Sequence, residues 1–556
     1  MTKQCVQCSK TFVITSDDQS FYDRLQVPAP THCPDCRMQR RLAWRNERTL
    51  YKRTCALTNQ PVISSYSPDG PVKQVYEPSA WFSDQWDALD YGRDFDFTRP
   101  FFEQFAELMY SVPHISLWNW EPDNADYNHC CYRLKNSYMN AATDKSEDAY
   151  YSYLSINDKS IVDCTAVEYS ELAYECIDSD KLYRCAFDQL CRNCVEVYLS
   201  TDCIDCNYCF GCAGLRHKEY YFFNEPLEKE EWHKRVKDIL GDYTKLQSAL
   251  TQANNLRLHI PQRYASIFSS ENSTGNYLWN SNNLKDCFDV RGSDTCKYVT
   301  YAPWGLKDSM DGYAIGAAEL LYESCCGGLD TYNNQFCMWL KHGPNNSQYC
   351  VYCVNGCDHV FASVGLNKKQ YCIFNKHYSQ AEYERLRSKI IAHMKTTGEY
   401  GEFFPIQFSP FGYNETIAAD YFPLTKEAVQ QNGWPWRDNT GGTFGKETVA
   451  EISATISDIT KEILACTQCK RNYQIIPQEL SFYQQLGLAL PRQCPNCRHL
   501  RRIQLRNPRR LWTRQCMCTQ PDHHHGGRCP EQFETSYDPE RKELVYCARC
   551  YQLTLD

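Results

Sequence analysis

The sequence lacks the apolar segments that mark exported and membrane-spanning proteins. Met1 leads directly into a cysteine motif at Cys5, without the apolar stretch of a secretory signal. The sequence also has no run of about 18 apolar residues, which a helix needs to cross a bilayer. We therefore expect a cytoplasmic protein with no membrane partner, because a reducing compartment keeps cysteines as thiols or metal ligands.

A recognisable catalytic set is also missing from the sequence. Nucleophilic or hydrolytic chemistry needs a Cys or Ser beside a His and an orienting group, or a metal with an open ligand position. Adjacent thiols such as Cys325-Cys326 are more typical of buried positions, and histidines such as His114 are isolated in the sequence. The sequence therefore favours a non-catalytic protein, and a metal or redox enzyme is the least favoured alternative.

What the sequence does contain is cysteine, together with an uneven distribution of charge. The chain has 34 cysteines in 556 residues and is 42% hydrophobic, so it can bury several cores without disulfides. The formal net charge is -9, but residues 33–55 carry +5 and residues 494–516 carry +7, which leaves -21 for the remainder. Two basic segments therefore interrupt an acidic chain.

The two ends of the chain carry copies of one module. Five cysteines of the first copy match five of the second at a constant offset of 461, and Ser20-Phe21-Tyr22 matches Ser481-Phe482-Tyr483 at the same offset. The matched cysteines are Cys5, Cys8, Cys33, Cys36 and Cys55, and Cys466, Cys469, Cys494, Cys497 and Cys516. Agreement without a gap over this length indicates a duplication.

Each module pairs two Cys-x2-Cys turns across 24 residues, which is the strongest motif in the sequence. Zn²⁺ takes four thiolate or imidazole ligands in a tetrahedron, and two such turns close a site without an open position for water. The sequence predicts two structural Zn²⁺ sites, formed by Cys5, Cys8, Cys33 and Cys36 and by Cys466, Cys469, Cys494 and Cys497. The alternative is a set of unmetallated core thiols.

A third Zn²⁺ site is predicted in the C-terminal module. The favoured ligands are Cys516, Cys518, Cys547 and Cys550, with His523, His524, His525 and Cys529 as competitors. In the N-terminal copy, Glu77 and Ala80 stand where the other copy has the last two cysteines. We therefore expect Cys55 to be a buried thiol outside any metal site.

These motifs resemble a known family. The pattern Cys-x2-Cys-x3-Phe/Tyr, then Ser-Phe-Tyr, Pro and Cys-Pro-x-Cys-Arg resembles a zinc-binding domain of many bacterial proteins without an assigned activity. The whole chain, including residues 91–97 (YGRDFDF) and 99–102 (RPFF), resembles a large cysteine-rich zinc-ribbon family of uncultivated candidate-phylum bacteria with reduced genomes. The resemblance implies zinc at the matched cysteines, and it supplies no activity. Glu77 and Ala80 depart from the family pattern.

The middle of the chain contains a looser duplication. Residues 171–175 (ELAYE) correspond to residues 319–323 (ELLYE) at an offset of 148. Each copy is followed by a stretch with helical apolar spacing, at residues 227–252 and 379–396. The sequence therefore predicts two related units in tandem.

Cysteines in the first of these units are separated by multiples of three. They are Cys164, Cys176, Cys185, Cys191, Cys194, Cys203, Cys206, Cys209 and Cys212. This spacing favours short stacked coils with small side chains in inward ladders, as in a β-solenoid. For the run from Cys203 to Cys212 three interpretations stay open: a buried thiol ladder, another zinc site, or an iron–sulfur cluster, although the final gap and proline of ferredoxin motifs are missing.

The predicted fold is a multidomain α+β protein. Treble-clef or zinc-ribbon-like modules at the termini flank two cysteine-rich, β-rich and solenoid-like repeats, with connecting helices. The predicted segments are an N-terminal zinc module (1–85), an acidic aromatic docking segment (86–120), repeat unit A with its helix (121–256), repeat unit B with its helix (257–398), a linker and helix (399–461) and a C-terminal zinc module (462–556).

An arginine-rich segment follows the second turn of each zinc module. Its members are Arg37, Arg40, Arg41, Arg45 and Arg48, and Arg498, Arg501, Arg502, Arg506 and Arg509. Spacings of three and four residues place most of them on one side of a helix, and the planar guanidinium donates paired hydrogen bonds to phosphate. We therefore predict binding to nucleic acid, most of all to RNA or a ribonucleoprotein such as the ribosome, through shape and backbone contacts.

Two alternatives to nucleic-acid binding stay open. The arginines could pair with carboxylates in the acidic middle of the same chain, for instance Asp94, Asp96 or Glu103. They could also dock on the acidic surface of a protein partner, which would make the chain a protein–protein scaffold.

Overall fold

The computed structural model describes residues 1–438, 441–446, 448 and 458–555. The α-helices of these residues are α1 (Ser16–Leu25), α2 (Pro34–Leu42), α3 (Pro78–Trp81), α4 (Phe101–Ser111), α5 (Lys229–Leu240), α6 (Tyr243–Arg257), α7 (Gln380–Thr397), α8 (Ile417–Tyr421), α9 (Lys426–Gln431), α10 (Pro477–Leu486), α11 (Pro495–Leu505) and α12 (Ala548–Gln552). The segment predicted as a linker and helix at residues 399–461 lies partly outside the described residues, at 439–440, 447 and 449–457.

The strands are short, with one exception. They are β1 (Thr2–Gln4), β2 (Thr11–Val13), β3 (Tyr51–Thr54), β4 (Pro61–Ser64), β5 (Val75–Tyr76), β6 (His114–Ile115), β7 (Asn119–Trp120), β8 (Cys131–Tyr132), β9 (Glu147–Tyr150), β10 (Lys159–Val162), β11 (Thr165–Glu168), β12 (Glu171–Tyr174), β13 (Ile177–Ala186), β14 (Arg192–Tyr198), β15 (Asn207–Phe210), β16 (Glu219–Phe222), β17 (Glu225–Pro226), β18 (Gln262–Arg263), β19 (Ile267–Phe268), β20 (Gly275–Trp279), β21 (Cys287–Arg291), β22 (Asp294–Lys297), β23 (Thr300–Ala302), β24 (Leu306–Gln335), β25 (Met338–Lys341), β26 (Asp358–Phe361), β27 (Gln370–Ile373), β28 (Lys376–His377), β29 (Leu464–Ala465), β30 (Asn472–Tyr473), β31 (Trp512–Gln515), β32 (Gln532–Thr535) and β33 (Val545–Tyr546).

The chain folds into two compact units, and neither is continuous in sequence. Unit 1 combines Met1–Leu117 with Ala265–Thr440, and unit 2 combines Trp118–Tyr264 with Gly441–Asp556. The N-terminal zinc module therefore belongs with the second cysteine-rich segment, and the C-terminal module belongs with the first. The six predicted segments run in sequence order, which does not reveal this grouping.

Most strands of unit 2 form one parallel ladder with a constant step. From β9 to β16, paired residues of successive strands are 12 positions apart, as in Glu147 with Lys159 and Val195 with Asn207. Nearly every third residue from Glu121 to Phe223 has a positive φ, although few of them are glycine. A left-handed residue turns the chain sharply, so four such turns fit into each 12-residue step. We call this stack the unit 2 ladder.

The residue that follows each turn of the unit 2 ladder points inward. Cysteine, serine, alanine and β-branched side chains fill most of these positions and are almost completely buried, as are Asp158 and Asp188 in the same rows. Inward serines accept hydrogen bonds from the backbone of the next step, as Ser152 does from Cys164 N at 3.2 Å and Ser179 does from Cys191 N at 3.0 Å. The three-residue spacing of the cysteines thus follows from the spacing of the turns.

Unit 1 contains a similar but less regular ladder, which we call the unit 1 ladder. Its parallel partners are 12 residues apart between β20 and β21 and 13 apart between β24 and β25. The strand β24 is continuous for 30 residues and also contains positive-φ residues at nearly every third position. Helix α2 of the zinc module contacts β24 directly.

Helices cover part of each ladder. The stretch predicted as helical at residues 227–252 consists of α5 and α6, which are separated at Gly241 and Asp242, and Asp242 caps α6 through Thr244 N. The stretch predicted at 379–396 is α7, which begins with a capping box at Ser379 and ends at a left-handed Gly398. Both helical predictions are confirmed, with the first divided in two.

Among the residues that the structure describes, no helix combines the length and the apolar composition needed to span a membrane.

Candidate metal centres and adjacent arginine clusters

The first four-sulfur group lies between a hairpin and a helix start in unit 1. Cys5 and Cys8 occupy the turn between β1 and β2, where Cys5 N donates to Lys10 O at 2.9 Å. Cys33 is the N-cap residue of α2, and Cys36 lies in its first turn. The four sulfur atoms lie within 4.8 Å of one another. A tetrahedral Zn²⁺ site with Zn–S distances of about 2.3 Å separates its sulfurs by about 3.8 Å, and Cys8 and Cys33 are 3.7 Å apart.

The second four-sulfur group repeats this geometry in unit 2. Cys466 and Cys469 lie between β29 and β30, and Cys494 is the N-cap residue of α11. Cys469 Sγ and Cys494 Sγ are 3.7 Å apart, and the group with Cys497 again lies within 4.8 Å. The residues of both predicted sites are therefore brought together as the sequence motif requires.

The third group differs by one cysteine from the predicted ligand set. The four sulfurs that meet are those of Cys516, Cys529, Cys547 and Cys550, and all four residues are buried. Pairing of β31 with β32 places Cys529 beside Cys516, while Cys547 caps α12 and Cys550 follows in that helix. Cys518, which the sequence favoured, belongs to a different group.

The group that contains Cys518 also contains two histidines. Cys518 Sγ, His523 Nδ1 or Nε2, the His525 ring and Cys550 Sγ offer four ligand atoms within 4.8 Å of one another. His524, the remaining candidate, is not among them and is exposed. Cys550 is therefore common to two groups of possible metal ligands.

Hydrogen bonds occupy the equivalent place in the N-terminal module. Glu77 occupies the N-cap position of α3 as Cys547 does in α12, although only the Cys547 side chain accepts a hydrogen bond from its helix, and Ala80 occupies the position of Cys550. Thr58 Oγ1 donates to Glu77 Oε1 at 2.8 Å, and Cys55 Sγ accepts from Thr58 N at 3.4 Å. The N-terminal module therefore has a hydrogen-bonded thiol, hydroxyl and carboxylate at the place where the C-terminal module has four cysteine ligands.

Two arginines of α11, Arg498 and Arg502, are buried against the unit 2 ladder, and Arg501 is half-buried there. Arg498 Nε lies 2.8 Å from Asp163 Oδ2, and Arg502 Nη1 donates to Asp163 Oδ1 at 2.9 Å. Arg501 pairs with Glu175 at 2.7 Å. Asp163 and Glu175 are turn residues one 12-residue step apart, so they project from the same corner of the ladder.

The arginines of α2 make the same contacts in unit 1. Arg37 Nε donates to Asp311 Oδ2 at 2.9 Å, and Arg41 Nη1 donates to Asp311 Oδ1 at 3.3 Å and to Glu323 Oε2 at 3.2 Å. Arg40 pairs with Glu323 at 3.0 Å. Burial is the largest single influence and opposes a charge on Arg37, but Asp311, Glu323 and the neighbouring tyrosines together outweigh it and raise the pKa of the guanidinium.

The two clusters are equivalent residue by residue. Arg37 and Arg41 match Arg498 and Arg502 at the offset of 461, and the two carboxylates of each cluster match at the offset of 148. Tyrosines accompany both clusters, since the Tyr22 and Tyr322 rings are 5.4 Å apart and the Tyr174 and Tyr483 rings are 5.3 Å apart. The inner and outer duplications therefore produce the same arrangement once in each unit, which we call the arginine–carboxylate cluster.

The remaining predicted arginines also face inward or pair within their own unit. Arg45 pairs with Glu47, Arg48 with Asp420 at 2.8 Å, and Arg506 with Asp178 at 2.6 Å, while Arg509 is buried. The predicted arginine surface is thus replaced by buried or partly buried ion pairs, because each helix lies on the acidic corner of a ladder. The suggested partners Asp94, Asp96 and Glu103 are not the ones used; Asp94, for example, pairs with Lys376.

The cysteine run of unit 2 lies inside the ladder. Cys203, Cys206, Cys209 and Cys212 are buried, and each Sγ lies 3.3–3.7 Å from the carbonyl oxygen two residues earlier. None of them joins a group of possible metal ligands among the described residues. Burial also raises the pKa of neighbouring ladder thiols such as Cys185. These contacts favour the thiol-ladder interpretation.

The thiol ladder can be tested by the Cys206→Ala variant. We expect its zinc content to equal that of the wild type and its free energy of unfolding to fall by about 1 kcal/mol, the usual cost of a small core change. Elemental analysis of purified protein and denaturant titration measure the two quantities. A loss of zinc, or a brown iron-containing wild-type protein, would contradict the interpretation.

Comparison with known proteins adds one family match. The model of the family described as "Probable treble clef domain" matches residues 1–44, which contain the first four-sulfur group, so a treble clef domain with four possible metal ligands lies at the N-terminus. No curated protein matches the chain significantly. The wider zinc-ribbon family stays a prediction.

One solved structure shows a weak likeness. It is a crystal structure of a "putative acetyltransferase" from Desulfovibrio desulfuricans G20, with 9% sequence identity and a TM-score of 0.11. The alignment covers 44% of this chain and 65% of that chain, so less than two thirds of its length is spanned. A likeness of this size supports no conclusion about fold or activity.

Proposed function

We propose that this chain is a non-catalytic, zinc-dependent scaffold that binds protein partners. Its metal groups support a structural role, because four thiolates complete the coordination of Zn²⁺ and leave no position for water or substrate. Zn²⁺ fits the first two groups because their sulfurs have the separation that its tetrahedral geometry requires. The thiolates must stay reduced to hold the metal, so a compartment such as the cytoplasm suits the proposal.

The single observation that carries the proposal is the arginine–carboxylate cluster. The first and second four-sulfur groups each contain the N-cap cysteine of a helix, α2 or α11, and the same helix presents two arginines to two carboxylates at a ladder corner. Metal binding therefore positions the helix that joins module and ladder. In this proposal zinc fixes the position of each module on its ladder.

The ladders supply the surface for binding in this proposal. We interpret each as a β-solenoid with coils of about 12 residues, an architecture whose regular outer rows suit extended protein contacts. Tyr169 and Tyr183 stand on the outside of the unit 2 ladder with 57% and 43% of their surface exposed. Exposed tyrosines are enriched at protein interfaces. Charges in the same outer rows, such as Lys135 and Glu147, pair with one another across one step.

RNA binding is the second candidate function. It would use a smaller surface than the ten predicted arginines, because most of these arginines pair within the chain. Arg510 is exposed, and its guanidinium lies 5.4 Å from the centre of the Trp512 ring. A cation beside an aromatic face can contact a base and a phosphate together. This pair and the exposed Lys52 of the first module are suitable positions for a test.

The experiment crosslinks the full-length protein in cells by two routes, ultraviolet light for RNA and a chemical reagent for protein. Three variants are compared with the wild type: Tyr169→Ser with Tyr183→Ser, Lys52→Glu with Arg510→Glu, and a matched control, Tyr127→Ser, at another exposed tyrosine. We expect defined protein crosslinks that fall severalfold only in the first variant, with RNA at background. Retention of RNA at about 150 mM salt that the charge reversal abolishes would favour the RNA function instead.

A further inference from the structure

The C-terminal module contains more metal ligands than one ion can use. Seven thiol and imidazole side chains form the two overlapping groups, which have Cys550 in common. The members of the two groups are Cys516, Cys529, Cys547 and Cys550, and Cys518, His523, His525 and Cys550. Two tetrahedral ions need eight ligand positions, and seven side chains supply eight positions when one thiolate binds both ions.

Distances within the second group suit a metal. Cys518 Sγ lies 3.1 Å from His523 Nδ1, and Cys550 Sγ lies 3.4 Å from His525 Nε2. With Zn–S near 2.3 Å and Zn–N near 2.0–2.1 Å, a tetrahedral ion separates a sulfur and a nitrogen by about 3.5 Å. Only a small adjustment is therefore needed to place one ion among the four atoms.

The His525 ring is held in the orientation that a ligand needs. Its Nδ1 lies 2.9 Å from Gly527 O, so Nδ1 carries the hydrogen and Nε2, which faces Cys550, keeps its lone pair. A backbone carbonyl that fixes the tautomer in this way is the usual second partner of a metal-bound imidazole. This hydrogen bond is an observation independent of the clustering of ligands.

Burial distinguishes the two histidines of the group from their neighbour. His523 and His525 are half-buried, whereas His524 between them is exposed. The loop from Cys518 to Cys529 is closed by the hydrogen bond from Cys529 N to Cys518 O at 2.9 Å. The loop thus turns two alternate imidazoles towards Cys550 and the third towards solvent.

We propose that the C-terminal module binds two Zn²⁺ ions, bridged by the thiolate of Cys550. One ion is held by four sulfurs, and the other is held by Cys518, His523, His525 and the same bridging sulfur. Five thiolates and two neutral imidazoles around two divalent ions leave a net charge of -1, which is smaller than the -2 of a single four-thiolate site. The full chain would then hold four ions.

Metal counting on the full-length protein provides the first test. We expect four zinc ions per wild-type chain, three in the His523→Ala, His525→Ala double variant, and four in the matched control His524→Ala. The double variant retains the four-sulfur group, so its circular dichroism and thermal unfolding should show a folded protein. Three ions in the wild type, or four in the double variant, would overturn the proposal.

Substitution with Co²⁺ tests the bridge itself. A shared thiolate couples the spins of two Co²⁺ ions, so the wild type should show less electron paramagnetic signal per cobalt than the double variant, whose remaining ions are isolated. The Cys550→Ser variant alters a ligand of both groups, so it should hold no more cobalt ions per chain than the double variant. Four cobalt ions with the full signal of isolated ions would show separate sites and would sink the bridged arrangement.

Discussion

The Cys36→Ser variant is expected to lose one zinc ion per chain and the folded state of the N-terminal treble clef. Structural zinc contributes about 10–16 kcal/mol to the folding of small zinc-finger peptides near neutral pH, so most of the stability of this module should depend on the metal. Cys36 lies in the first turn of α2, the helix that bears Arg37 and Arg41. Loss of the ion should therefore also release both arginines from Asp311 and Glu323.

Elemental analysis, thermal unfolding and limited proteolysis measure this effect. Cleavage is expected within residues 1–50 at protease concentrations that leave the wild type intact. The matched control is Cys55→Ser, since Cys55 is equally buried but belongs to no group of possible ligands among the described residues. An unchanged zinc content and melting temperature in the Cys36 variant would mean that the four sulfurs do not hold a metal.

The Arg502→Met variant is expected to lower the free energy of unfolding of unit 2 by about 3–5 kcal/mol. Arg502 is fully buried and lies between Asp163 and Glu175, at 2.9 and 3.5 Å. Removing the guanidinium leaves two carboxylates without that partner in a site from which water is excluded. The exposed Arg510, changed to methionine, should cost less than about 0.5 kcal/mol.

A double-mutant cycle separates the lost ion pair from lost packing. Combining Arg502→Met with Asp163→Asn removes the uncompensated charge, so the double variant should be more stable than the sum of the single effects predicts. Denaturant unfolding followed by tryptophan fluorescence measures each corner of the cycle. Additive effects would show that the two side chains do not interact, and a small effect of the first change would show that the arginine is not buried in solution.

The arginine–carboxylate cluster also changes how charge-reversal variants should be interpreted. Arg40, Arg41, Arg501 and Arg502 are attractive targets for testing RNA binding, because they are the most regular basic feature of the sequence. Glutamate at Arg41 or Arg502 would instead place a third carboxylate beside two buried ones. Loss of RNA from such a variant would report unfolding, so exposed positions such as Arg510 are the informative ones.

Much of the metal chemistry is determined by sequence alone. Two Cys-x2-Cys turns 24 residues apart lead to a four-sulfur group at each end because each turn is local: a tight hairpin supplies one pair, and the first turn of a helix supplies the other. The three-residue cysteine spacing likewise reflects a local backbone rule, one left-handed residue in every three. Residue spacing therefore predicts local geometry of this kind.

Tertiary structure alone decided where the arginines point and which module joins which ladder. A helix with arginines on one side has the same sequence whether that side meets solvent or a carboxylate, and Asp311 lies 274 residues from Arg37. The choice of Cys529 over Cys518 depends in the same way on strand pairing across a loop. Contacts between segments that are distant in sequence depend on packing, which residue spacing does not record.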